Sequence, residues 1–192
     1  MVALIRPLRN ENEASPARRS ERSIAFVKAW ATIPRKGFIP DKADFRPERL
    51  AAFLNDVYLV ELHEDLENRI RFRIAGEHIR NGLGFELKGR NYIDFVPDDH
   101  RAMSGMSMHR MFAPQPCGRW VRKCITRPGR EQNIVELTQL PMMDRTHGVK
   151  LVIGIAEGFA EALLQSDCGS QGVLFENLES EHFFDIGAGL PA

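Results

Sequence analysis

The residue types able to do acid–base chemistry crowd into one stretch of this sequence. "NYIDFVPDDHR" places Asp94, Asp98, Asp99 and His100 close together, with Tyr92 just ahead; Glu136 and His147 lie further along. Such groups can move protons if a fold converges them on a substrate. The same acids also open helices, because a carboxylate there accepts from free N–H groups and meets the positive end of the dipole. Capping and turn chemistry account for the Asp-Asp-His cluster without any reaction. No GxSxG, HExxH or Cys/His constellation accompanies it.

The thiols and glycines read in the same way. Three cysteines, Cys117, Cys124 and Cys168, leave one over in any disulfide framework. No CxxC and no histidine pair at zinc-finger spacing is present, so no metal site is expected and the thiols read as packing groups. In "RIRFRIAGEHIRNGLGFELKGR", Gly82, Gly84 and Gly89 do not form GxGxxG, and Arg90 follows Gly89 where a phosphate loop needs Lys then Ser or Thr. These glycines therefore end a strand at Gly76 and permit left-handed turns among short helices.

The elements that must position these residues follow from period. Ile24, Phe26, Val27, Trp30 and Ile33 fall near helical spacing in "ERSIAFVKAWATI", capped by Ser20 or Ser15 and stopped by Pro34. "PERLAAFL" is a short helix with Pro47 in its first turn. Asp56 to His63 is a strand, "EDLEN" turns it, and Arg69 to Ala75 returns with Ile70, Phe72 and Ile74 on one face and Arg69, Arg71 and Arg73 on the other. One dry and one wet face means an antiparallel sheet. Asp98 or Asp99 caps a helix running to Phe112. Strands then cover Arg119 to Thr126, Asn133 to Leu140 and Val149 to Ala156, with "RPGRE" and "MMDRTHG" as turns. The expectation is an α+β domain with one antiparallel sheet and its helices segregated.

At 192 residues with 43% hydrophobic content, the chain can bury a core unaided. No apolar run approaches the roughly 20 residues of a membrane span, and the N-terminus lacks a secretory signal, so a cytoplasmic location is the default. Net charge is zero, but from Leu151 onward there are seven acidic residues and no Lys or Arg, leaving +7 on residues 1–150. That excess could draw nucleic acid or acidic lipid. Its arginines alternate along strands or lie scattered without interleaved aromatics, so a solvated face is the reading. The division expected is a flexible arm (1–19), a helical extension (20–55), a core (56–158) and an acidic tail (159–192). The tail forms either a docking helix or a partly disordered segment.

The strand followed by "RIAGEHIRNGLGFELKGRNYIDFVPDDHR" resembles the middle of a PAS domain. It is most similar to a bacterial PAS-like subfamily, which shares the tryptophan-bearing helix, "IPRKGFIP" to "FRPERL", and the late "ELTQLPM" strand. The likeness spans roughly residues 20–158. It implies a five-stranded antiparallel sheet with short helices on one face plus an N-terminal helix, and a sensory or protein-interaction module in signalling that is not an enzyme. No output module is attached, so a signalling partner and a homodimer are implied. The N-terminal helix around Phe26, Val27 and Trp30 is the dimer contact by this likeness.

Candidate pocket residues are Phe72, Ile74, Ile79, Phe85, Tyr92, Met103, Met106, Trp120 and Leu137, the alternative being that they fill a solid core. The methionines of the third helix suit a deformable wall. His109 joins them because haem-binding PAS domains ligate iron from the corresponding helix; a lone histidine leaves the cofactor unknown. No cysteine lies between residues 76 and 100, which argues against thiol-adduct flavin photochemistry. Two alternatives remain: a ligand-free dimerisation or adaptor module, and a small isomerase-like α+β cone enzyme using Tyr92 with Asp94. The hairpin-first order disfavours the latter.

Overall fold

The computed structural model describes residues 18–63, 69–126, 133–158 and 174–190. Most of the expected arm, the "EDLEN" and "RPGRE" turns and Cys168 lie outside them. Strand β1 (Val57–His63) shows the alternation its sequence dictates: Tyr58, Val60 and Leu62 join one apolar cluster, while Val57 and Leu59 join another. It pairs with β2 (Arg69–Ala75) and β5 (Val149–Glu157); β5 pairs with β4 (Asn133–Asp144), and β4 with β3 (Cys117–Thr126). All pairings are antiparallel.

A sixth strand, β6 (Leu174–Asp185), completes the order β2-β1-β5-β4-β3-β6 by pairing with β3. Five strands were expected, and this one comes from the stretch read as an acidic tail. Its pattern has the period of a strand: Phe183 packs against the first cluster, while Phe184 is buried in the second and His182 lies against Trp120 with ring centroids 5.4 Å apart.

The β2 pattern departs from strict alternation at one point. Leu59 is opposite Ile74 and Val60 opposite Phe72, so Arg73 is an extra residue. One inserted residue reverses the faces beyond it. Ile74, expected inside, is therefore 53% exposed, and Ala75 takes the inner side. The outer edge of β2 is occupied by the next loop: Phe72 N donates to Arg90 O at 2.9 Å, Gly89 N to Phe72 O at 2.8 Å, and Ile70 N to Asn91 Oδ1 at 2.9 Å.

Helices cover both faces. On the inner face lie α2 (Glu77–Leu83), a 3₁₀ turn (Tyr92–Phe95) and α3 (Arg101–Arg110). Gly84 ends α2 in the left-handed conformation (φ 78°), which a side chain would resist. Helix α3 lacks the aspartate cap expected for it. Asp98–His100 form a 3₁₀ turn instead, and Asp98 pairs with Arg101 at 2.9 Å. Cys117 and Cys124 are buried, and burial pushes the Cys117 thiol up to about 11 against an opposing pull from Arg110, so it is no nucleophile at neutral pH. Among the described residues no helix is long and apolar enough to cross a membrane.

On the outer face lies α1 (Glu21–Ala31), with the 3₁₀ turn Pro47–Phe53 beside it. Ser20 caps α1, accepting from Ser23 N at 2.8 Å, and its own Oγ donates to Glu157 Oε2 at 2.8 Å. Thr138 Oγ1 donates to Ser23 Oγ at 2.7 Å. Phe26 and Trp30 are fully buried against Leu50, Phe53 and the sheet, and Val27 packs beside them. Of the residues expected at a dimer contact, Phe26 and Trp30 are thus buried within the chain's own fold, and Val27 is half-buried beside them. Trp30→Ala should therefore cost about 3–5 kcal/mol of stability in urea unfolding. A loss below about 1 kcal/mol, with a sedimentation mass falling from dimer to monomer, would return Trp30 to an interface role.

Candidate functional site

Four strands contribute one row across the inner face. Tyr58 on β1 is opposite Gly154 on β5, Gly154 opposite Gln139 on β4, and Gln139 opposite Arg119 on β3. Gly154 has no side chain, so the Tyr58 ring lies over it; a Cβ there would sit 2.6 Å from the ring and 2.8 Å from Thr138 O. Across that gap Gln139 Nε2 donates to Tyr58 Oη at 2.7 Å. Behind it Arg119, 1% exposed, donates to Gln139 Oε1 and pairs with Glu181 of β6. Ser107 of α3 donates to the same carboxylate at 3.4 Å. A second buried cation, Lys123 at 4% exposed, donates to Tyr92 Oη at 2.6 Å.

A cavity of about 30 Å³ lies beside these groups, between sheet and helices. Tyr58, Tyr92 and Gln139 form its polar corner; Val60, Phe72, Leu137 and Ala156 from the sheet and Ile79, Leu87 and Met108 from the helical side form the rest. That volume admits two to three waters at about 10–15 Å³ each. An apolar chamber with few convergent polar groups is the usual form of a small-molecule site.

The electrostatics follow from burial and from the two cations. Burial pushes the Tyr58 hydroxyl well above the ordinary tyrosine range, with Gln139 and Arg119 opposing it. Burial acts on Tyr92 in the same sense, but the charges of Lys123 and Arg119 and the bonds from Lys123 and Ser104 outweigh it, leaving Tyr92 below the ordinary value. For Glu181 burial is likewise overcome by Arg119, so the carboxylate stays ionised.

The structure brings Phe72, Ile79, Tyr92 and Leu137 together at the cavity and places the other candidates elsewhere. Ile74 is turned out by the bulge. Met103 and Met106 are 53% and 64% exposed, because α3 packs through Ser104, Gly105 and Met108 instead. Trp120 lies on the outer face, where its Nε1 donates to Glu136 Oε1 at 2.6 Å. Phe85 stacks on Phe95 at 5.6 Å without lining the cavity, and His109 is half-buried on α3, also outside the lining. The acid–base candidates do not converge: Asp94, Asp98 and Asp99 are exposed, Glu136 serves the outer face, and His147 pairs with Asp144 in a turn at 3.0 Å. Sequence reasoning missed Tyr58, Gln139, Lys123 and Arg119. The alternation of "DVYLVELH" already put Tyr58 with Val60 and Leu62; nothing in one strand alone marks Arg119 or Lys123 as buried.

Residues 18–157 match the family model of the PAS domain. A solved structure described as a fungal LOV domain photoreceptor matches at 15% identity, over 70% of this chain and 90% of that one, with a TM-score of 0.41. No curated protein matches the sequence.

The chain has only two tyrosines. The phenolate absorbance of the folded protein should therefore rise in two separate steps, Tyr92 below the usual value of about 10 and Tyr58 only on alkaline unfolding. Lys123→Met should move the first step upward. Joint ionisation of both near the usual value would contradict the buried cation at Tyr92.

Proposed function

The chain belongs to the PAS domain family, whose members are sensory and signalling modules, and from that premise we propose that it is a cytoplasmic PAS sensor binding a small molecule inside its own fold. It works by binding and by passing occupancy to a protein partner, not by catalysis. One observation carries this reading: the inner-face chamber whose polar corner is Tyr58, Gln139 and Tyr92. A core selected only for stability would fill that space, since each unfilled methylene costs about 1 kcal/mol. Helix α3 offers a route outward, because it lines the chamber through Met108 while Met103 and Met106 face solvent.

A second reading, a ligand-free dimerisation or adaptor module, draws on that same pair of exposed methionines. Unbranched thioether side chains adapt to varied partners. Native against denaturing mass spectrometry of freshly purified protein separates the two. The sensor predicts a mass excess lost on denaturation and absent from Leu137→Trp, which fills the chamber. An apo mass at twice the chain weight would replace it with the dimeric adaptor.

A further inference from the structure

Hydrogen-bond direction is fixed at the polar corner of the chamber. Guanidinium and ammonium groups only donate. Because Arg119 donates to Gln139 Oε1, the Gln139 amide nitrogen is the atom facing Tyr58, and it donates to Tyr58 Oη. Tyr58 thus accepts from behind, and its own hydrogen has no acceptor among the described residues, on a side chain that lines the chamber and is almost fully buried. Lys123 imposes the same direction on Tyr92, whose oxygen receives the ammonium proton.

Charge points the same way. Arg119 and Lys123 are two buried cations, and Glu181 is the one carboxylate among the described side chains bonded to this network. Among the described side chains one positive charge is left over in a low-dielectric setting, where an uncompensated ion is costly. A guest that satisfies the corner needs an acceptor oxygen and a negative charge. The remaining wall, with Val60, Phe72, Met108 and Leu137, asks for a short apolar body.

We propose that the chamber, enlarged as Met108 moves aside, is a binding site for a small monocarboxylate of two or three carbons. One carboxylate oxygen accepts from Tyr58 Oη, the negative charge faces the Lys123 and Arg119 side, and the alkyl end meets Met108, which yields by changing rotamer. This rests on the reading of the chamber as a ligand site. A carboxylate also explains why the cations reach the guest through hydroxyl and amide relays: a hydrogen bond to a charged partner is stronger than a neutral one, and the relays leave the apolar wall unbroken.

The test is calorimetry and thermal shift of the full chain with sodium propionate against propionamide, its neutral counterpart, at constant ionic strength set with chloride. The expected result is saturable stabilisation by propionate, with propionamide at least tenfold weaker. Tyr58→Phe should weaken propionate by about 10- to 100-fold, the loss of one hydrogen bond to a charged group. The comparison of the two probes on the unaltered chain needs no variant and stands if Tyr58→Phe fails to fold. Propionamide binding as tightly as propionate overturns the carboxylate while leaving a ligand site. No response to either probe overturns the carboxylate too; if native mass spectrometry then still shows a lost mass excess, the sensor reading survives, and if it does not, both fall.

Discussion

A guanidinium 1% exposed in the middle of a sheet has to be compensated where it stands, and much of this fold is arranged around that need at Arg119. Its charge is met by Glu181 from β6, and a further donor is met by Gln139 from β4. Gln139 in turn holds Tyr58 of β1 across a glycine. One side chain therefore ties four of the six strands. Removing Glu181 would leave a buried charge, which costs more than the ion pair contributes, and removing Gln139 would leave a buried donor unsatisfied. For this reason β6 belongs to the core although it is distant in sequence from the strands it completes.

The two faces of the sheet divide the work. On the outer face Phe26 and Trp30 of α1 pack in one cluster with Trp120, and the Ser20 and Thr138 hydrogen bonds hold the helix to the sheet. The inner face keeps polar groups and a chamber. Asp56, just before β1, joins the layers: it pairs with Arg22 of α1 and, at 2.8 Å, with His78 of α2. One carboxylate thus bonds to a helix on each face of the sheet.

Most of the architecture was legible because period and burial agree over whole strands. Strands β1 to β5 and helix α1 follow from alternation, spacing and a serine cap. What escaped reading was set by partners remote in sequence. The bulge at Arg73 has no local mark, so Ile74 reads as core. "RAMSGMSMHR" invites choice of its first methionines, yet the buried positions of this helix are the small residues Ser104 and Gly105 together with Met108. Trp120 alternates correctly but on the face that α1 covers. Arg119 and Lys123 look like solvated strand charges until Glu181 and Tyr92 are placed beside them. The acidic tail hid β6 because its alternation gains meaning only against β3.

The bulge in β2 also bears on how the molecule behaves in a crowd. An edge strand with free amides and carbonyls is a template on which another chain can pair. Here the edge is engaged by Gly89, Arg90 and Asn91, its outward residues include Arg69, Arg71 and Arg73, and its end is turned by the extra residue. Pairing with a neighbour along β2 would first require displacing that loop and bringing like charges together. The loop and the three arginines thus work against strand addition on this side of the sheet, where Ile74 is exposed.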